Sequence, residues 1–167
     1  VAGVLLHLPG AEDTLALGTV LGRGLARISP PVALLLAGPL GSGKTTLVRG
    51  LVSVLAGADA AEVASPSFNL VNLYPTRPRV AHFDLYRLGG ILPEEFEELL
   101  DAPNTLLVAE WIDRVAENLW PGEALHLEWL PVSSGRALKI RAWGKAASAL
   151  LEDLAPALNH WQKGSGV

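Results

Sequence analysis

The sequence predicts an α/β fold of three layers, with a mostly parallel central sheet extended by antiparallel strands. Three observations carry this. Short apolar runs alternate with amphipathic helical stretches along the chain. Two of the runs, 32–37 and 106–109, are apolar without interruption, as expected of strands buried on both faces. Further on, two strand-like runs flank Pro131-Val132-Ser133-Ser134-Gly135, which reads as an antiparallel hairpin.

Taken in order, a first strand is expected over 4–8, stopped by Pro9-Gly10. A helix follows over 12–27, where Leu17, Leu21, Leu25 and Ile28 fall on one face. Glu12 and Asp13 sit in its first turn, where carboxylates favour the positive end of the helix dipole. Ser29-Pro30-Pro31 breaks this helix ahead of the strand at 32–37. A glycine-rich turn leads into a helix over 44–56, with Leu47, Val48, Leu51, Val52 and Leu55 inward and Gly57 as the stop. Residues 68–74 alternate loosely, and 79–85 form another strand beyond the turn at Pro75 and Pro78. Pro93 suits the first position of an acidic helix over 94–100. The strand at 106–109 ends on Glu110-Trp111, and 125–130 and 138–143 are the arms of the hairpin. A closing helix over 146–161 carries Leu150, Leu151, Leu154 and Leu158. Without an internal repeat or linker, residues 1–162 read as one domain and 163–167 as a flexible tail.

Composition narrows the class. With 50% hydrophobic and 18% charged residues, the chain is far from disorder. The absence of cysteine excludes a disulfide scaffold, a thiolate zinc site and a cysteine nucleophile. No run reaches the ~18–20 apolar residues a membrane span needs. The stretch 1–8 lacks the basic flank of a signal peptide, so a cytoplasmic protein is expected. Thirteen basic against 17 acidic residues, net −4, argue against a protein that grips nucleic acid unaided.

One stretch carries chemistry. Gly38-Pro39-Leu40-Gly41-Ser42-Gly43-Lys44-Thr45 fits Gly-x-x-x-x-Gly-Lys-[Ser/Thr] in full, with an apolar strand before and a helix after. The glycines let backbone N–H groups approach phosphate oxygens, and the helix that follows offers its free N–H groups and dipole to the same anion. Lys44 is placed to reach the β- and γ-phosphates, and the Thr45 hydroxyl to ligate Mg²⁺. The prediction is a P-loop NTPase fold that binds a nucleoside triphosphate.

Such a loop needs a carboxylate at the end of a neighbouring buried strand, and Glu110 and Asp84 both qualify. Together they are expected to divide metal binding and water orientation, which leaves open which of them holds the metal directly. For either, the competing reading is a carboxylate paired with arginine, such as Asp84 with Arg87. Neither Asn-Lys-x-Asp, which reads guanine, nor Asp-x-x-Gly after Asp84 is present, so adenine is expected.

These residues resemble the bacterial TsaE (YjeE) family, the ATPase of tRNA threonylcarbamoyladenosine biosynthesis. The resemblance rests on Leu40-Gly41-Ser42-Gly43-Lys44-Thr45-Thr46, Ser65-Pro66-Ser67-Phe68-Asn69-Leu70-Val71, His82-Phe83-Asp84-Leu85-Tyr86-Arg87-Leu88 and Glu110-Trp111. Glu12-x-Thr14-x-x-x-Gly18 is similar to the family's opening helix. Ser67 stands where the family usually has Thr, Asn69 for a common Ser or Thr, Pro39 for an acidic residue and Ile112 for Pro. None of these removes a group the chemistry needs. The resemblance implies that 39–46 bind ATP through Pro39, Leu40, Gly41, Ser42, Gly43, Lys44, Thr45 and Thr46. It implies that Thr14 lies near the nucleotide with Trp111 beside it, that Glu110 ligates Mg²⁺, and that Asp84 is needed for hydrolysis. It also implies a partner, the TsaB–TsaD complex, whose TsaD subunit modifies the adenosine beside the anticodon. ATP hydrolysis would reset that machine between rounds, with tRNA reached through the complex.

Other residues admit two readings each. Ser65-Pro66-Ser67 is a nucleotide-sensing segment or the end of a loop. Arg87 stabilises a transferring phosphoryl group or pairs with a carboxylate. His82 reads as a packed or hydrogen-bonded strand residue rather than a base. The acidic helix face of Glu94, Glu95, Glu97, Glu98 and Asp101 is solvated or docks a basic partner. Trp120, Trp129, Trp143 and Trp161 read as packing. Two functions compete with the ATPase: a small-molecule or nucleotide kinase, and a non-catalytic nucleotide-dependent assembly factor. A kinase of that kind closes an Arg-rich lid over the phosphates, and 113–145 hold only scattered basic residues.

Overall fold

In the computed structural model, which describes residues 3–162, the sheet and helices follow the predicted alternation. The elements are β1 Gly3–Leu8, α1 Ala11–Leu25, β2 Ala33–Ala37, α2 Lys44–Ser53, β3 Val71–Tyr74 and β4 Arg79–Asp84, then α3 Glu94–Asp101, β5 Thr105–Glu110, β6 Ala124–Leu130, β7 Arg136–Trp143 and α4 Lys145–Leu158. One sheet runs in the order β1-β7-β6-β2-β5-β4-β3. Its four central strands, β6, β2, β5 and β4, are parallel. β7 and β1 extend one edge antiparallel, and β3 extends the other.

The period of two in each strand divides the core into two layers. Leu34, Leu36, Val108, Leu125 and Leu127 pack with α1, α2 and α4. Leu35, Ala81, Phe83, Leu107 and Ala109 face the opposite way and meet Phe96, the buried residue of α3. β2 and β5 are buried along their whole length, which explains their unbroken apolar runs.

α1 and α2 touch backbone to backbone. A Cβ added at Gly18 would lie 2.2 Å from the Leu47 carbonyl oxygen, and one at Gly50 would lie 2.2 Å from that of Leu15. This crossing seats α2, and with it the loop at its N-terminus, against the sheet.

Several boundaries differ from expectation. α2 stops at Ser53 rather than 56, because Ala56 leaves the helix to bridge Arg77 and accepts its N–H at 2.9 Å. β3 begins only at Val71, where pairing with Phe83 starts; Phe68 is 96% exposed and outside the ladder. Pro93 is the N-cap of α3, not its first helical residue. α4 ends at Leu158, and Asn159–Trp161 continue as a single 3-10 turn. Trp129 and Trp161 are buried, and Trp120 and Trp143 are partly buried against the second layer, as packing predicted. The tail expected at 163–167 lies outside the described residues. Among the described residues, no helix is long and apolar enough to cross a membrane.

Candidate functional site

The glycine-rich loop spans 38–43, between the end of β2 and the start of α2. Gly41 (φ +75°) and Gly43 (φ +113°) are left-handed, a backbone conformation that side chains disfavour. Gly43 is the N-cap of α2 and no side chain caps the helix, so the N–H groups of its first turn have no partner within it. The sequence therefore builds an anion cradle at a helix N-terminus.

Lys44 lies over this loop and is buried. Its Nζ donates to the carbonyls of Gly38 at 2.6 Å and Pro39 at 2.9 Å, and sits 4.2 Å above the Trp111 ring. Burial lowers the Lys44 pKa, opposed by the nearby carboxylates of Glu110, Asp113 and Asp84.

The two predicted acids end adjacent parallel strands and stand opposite one another in register. Glu110 is 3% exposed, and both of its carboxylate oxygens lie 3.4 Å from the Thr45 hydroxyl. Its Oε2 is also 2.6 Å from His82 Nε2. Asp84 is half-buried and accepts the Tyr86 N–H on Oδ1 at 2.9 Å. Among the described residues it forms no ion pair with an arginine, Arg87 included, which was its alternative reading.

A cavity of about 480 Å³ opens beside these groups, within the range of small-molecule sites. Leu40, Gly41, Ser42 and Lys44 form one wall, Ser65 to Leu70 another, and Asp84, Tyr86, Arg87, Leu88, Glu110 and Trp111 close it. Trp111 adopts a left-handed backbone (φ +62°), and its ring meets Tyr86 edge-on at 4.8 Å. The Arg114 guanidinium lies 4.4 Å over the Tyr86 ring.

Of the other predicted residues, Thr45 faces Glu110, Pro39 receives Lys44 on its carbonyl, and Thr46 follows in the first turn of α2. Thr14 packs against the loop without lining the cavity: a Cβ at Gly43 would be 3.4 Å from its methyl carbon. It is fully buried, and its hydroxyl has no hydrogen-bond partner. Arg136, at the start of β7, flanks the same glycine, its Nε 3.3 Å from that Cβ position. Arg136 carries no signal in the sequence, because only the return of β7 across the sheet brings it there. His82 reads from the sequence as a hydrogen-bonded strand residue but not as a neighbour of Glu110. The i, i+2 spacing of His82 and Asp84, which sets both on one face, was the available signal.

The sequence and the fold both have known relatives. The family model described as threonylcarbamoyl adenosine biosynthesis protein TsaE matches residues 8–138, a span that holds Thr14, the glycine-rich loop, Asp84, Glu110 and Trp111. The tRNA threonylcarbamoyladenosine biosynthesis protein TsaE of Mycobacterium bovis is 36% identical over 123 residues, covering 67% of this chain and 70% of the relative. Its namesake from Rickettsia felis is 35% identical over 123 residues, with 70% and 67% covered. That of Treponema pallidum is 37% identical over 113 residues, with 65% and 78% covered. The crystal structure of YdiB from Bacillus subtilis superposes with a TM-score of 0.75 over 94% of this chain and 97% of that one; at 23% identity it speaks for the fold. A glycine-rich strand-to-helix loop, two acids ending adjacent parallel strands and a family match spanning most of the chain lead to one assignment: this chain belongs to the TsaE family, whose members are named for tRNA threonylcarbamoyladenosine biosynthesis.

Proposed function

We propose that the chain binds ATP with Mg²⁺ on the loop 38–45 and hydrolyses it at the γ-phosphate, as an accessory to the threonylcarbamoyl modification of tRNA. The observation that carries this reading is the Glu110 carboxylate held 3.4 Å from the Thr45 hydroxyl at the mouth of an uncapped phosphate-loop helix.

The residues fit the groups they would hold. A hydroxyl and carboxylates are hard oxygen donors suited to Mg²⁺. Among the described residues, no cluster of three or more His, Cys, Asp and Glu side chains forms a metal cage. That suits a cation that takes one or two carboxylates and completes its shell with substrate phosphates. Thr45 and Glu110 would hold it, with Asp84 beside them. The Thr14 methyl group and the Arg136 guanidinium flank Gly43 of the loop.

Hydrolysis adds water to the γ-phosphorus and breaks its bond to the β–γ bridging oxygen. The loop N–H groups cradle the phosphate oxygens, and Lys44 leaves the Gly38 and Pro39 carbonyls to meet the charge that grows on the leaving group. Asp84, whose Oδ1 is tied to Tyr86, keeps Oδ2 to orient the water. When bound, Mg²⁺ neutralises charge on the β- and γ-phosphate oxygens. Arg87 lines the cavity and is exposed, and among the described residues no side chain holds it over the loop. Low turnover alone and activation by a partner follow, and the partner expected from the family is the TsaB–TsaD complex. The net charge of −4 supports contact with tRNA through that complex rather than directly.

The kinase alternative calls for an Arg-rich lid; 113–145 hold only scattered basic residues, and 124–130 and 136–143 are strands of the central sheet. The deciding experiment is phosphate release from ATP by the protein alone and with TsaB–TsaD. Lys44→Ala weakens ATP binding roughly ten- to a hundredfold, the loss of 1.5–3 kcal/mol per hydrogen bond to a charged group. Glu110→Ala abolishes release. Transfer of phosphate to a small acceptor instead of water overturns the hydrolase reading, and no stimulation by the complex overturns the partner.

A further inference from the structure

His82 and Tyr74 have no role in the chemistry above, yet both are buried, at 0% and 3% exposure. The His82 ring bridges two partners: Nε2 lies 2.6 Å from Glu110 Oε2, and Nδ1 lies 2.8 Å from the Tyr74 hydroxyl. The partners at the two ends of the ring set the direction of these bonds. The Ala64 N–H donates to the Tyr74 oxygen at 3.4 Å. The Ala64 carbonyl accepts the Asn72 amide at 3.1 Å and lies 3.1 Å from the Tyr74 hydroxyl, while the contact from that hydroxyl to His82 is shorter, at 2.8 Å. A carboxylate only accepts, so the contact to Glu110 puts a proton on His82 Nε2, and the neutral ring then accepts the Tyr74 hydroxyl on Nδ1. An imidazole that accepts on Nδ1 carries its proton on Nε2 and donates it to Glu110. A buried N–H on one carboxylate oxygen stops rotation of the group and directs its remaining lone pairs towards Thr45.

We propose that Tyr74 and His82 are positioning residues, Tyr74 holding His82 in its Nε2–H form and His82 holding the Glu110 carboxylate towards the Thr45 hydroxyl, in the orientation that receives Mg²⁺. This rests on the reading of Glu110 and Thr45 as the magnesium ligands. The chain of hydrogen bonds starts at Ala64, the residue before the cavity wall 65–70, so it also ties that wall to the carboxylate.

The test uses the full chain and two measurements: Mg²⁺ titration at saturating ADP against ADP affinity in EDTA, and ¹⁵N NMR of the histidine rings in metal-free protein. His82→Ala is expected to weaken Mg²⁺ affinity by ~10–100-fold, the effect of removing a partner that orients a metal ligand, with ADP affinity in EDTA within about twofold of wild type. His82→Gln, whose amide N–H can take the place of Nε2–H, is expected to recover most of the loss. Tyr74→Phe, which keeps the ring in place, is expected to cost a few-fold in Mg²⁺ affinity and to move the His82 signals from the Nε2–H pattern towards a mixture of tautomers. A wild-type His82 in the Nδ1–H form overturns the proposal, as does a Gln variant no better than Ala. Normal Mg²⁺ dependence in wild type with unchanged affinity in Tyr74→Phe and His82→Ala overturns it alone. Wild-type ADP binding that ignores Mg²⁺ overturns the proposed function, and this proposal with it.

Discussion

Replacing Gly18 by alanine sets two effects of opposite sign against each other. Alanine in a helix interior is favoured over glycine by roughly 0.5–1 kcal/mol, so on propensity alone Gly18→Ala should stabilise α1. The crossing with α2 opposes this. The new Cβ would stand 2.2 Å from the Leu47 carbonyl oxygen and 2.9 Å from the Leu51 nitrogen, where ordinary contact begins at 3.4 Å. The obstructing atoms are backbone, so no rotamer change relieves the clash and the helices must part by about 1 Å. Overpacking of this kind costs about 1–3 kcal/mol, at the upper end where only backbone can move. The net loss is then about 2 kcal/mol, a fall in Tm of roughly 4–8 °C for a chain of this length. Scanning calorimetry of Gly18→Ala beside Gly122→Ala checks it, since Gly122 has nothing within 4 Å of its Cβ position. Gly122→Ala should stay within about 1 °C of wild type. A Gly18→Ala protein as stable as wild type, or more so, would refute the close crossing of α1 and α2.

The remaining predictions concern the site and its surroundings. Glu110→Gln should weaken Mg²⁺-dependent nucleotide binding more than Asp84→Asn does, because Glu110 alone faces the Thr45 hydroxyl; equal or reversed losses in a titration contradict that order. His126 is buried beside Arg141, and burial first, then the guanidinium, lower its pKa to about 4. The unfolded chain therefore binds this proton more readily, and the stability that neutral His126 contributes is complete above pH ~6.5 and lost as pH falls towards 4. Urea unfolding of His126→Gln should show a shallower loss between pH 7 and pH 5 than wild type, and an identical slope refutes the assignment. Phe68 is 96% exposed on the rim of the cavity, so Phe68→Ser should leave unfolding stability within about 0.5 kcal/mol of wild type.

Much of the fold was legible because periodicity and doubly buried runs report burial directly. The runs at 32–37 and 106–109 became β2 and β5, and the antiparallel hairpin formed where the turn residues placed it. Boundaries failed where a distant partner decided them. Ala56 has ordinary helical neighbours, and only its bridge to Arg77 ends α2 early. The loop of the candidate site was legible because the backbone conformation it needs restricts the residue types to glycine at Gly41 and Gly43. Arg136 and the Tyr74–His82 link were not, since each depends on which strands become neighbours. The ladder from Ala64 through Tyr74 and His82 to Glu110 crosses β3, β4 and β5 and joins residues 10, 8 and 28 positions apart, and a scan for motifs sees none of it.

The register of β4 against β5 makes the site a matter of parity. Val80, His82 and Asp84 stand opposite Leu106, Val108 and Glu110, all on the α2 side of the sheet, while Ala81 and Phe83 look the other way. Losing or gaining one residue inside β4 would exchange the two sets, setting Phe83 where the carboxylate belongs and turning His82 away from Glu110. Residues added beyond Leu88, before the start of α3, would leave both that parity and the cavity wall intact. Within these two strands the chemistry permits substitution and forbids a shift of frame.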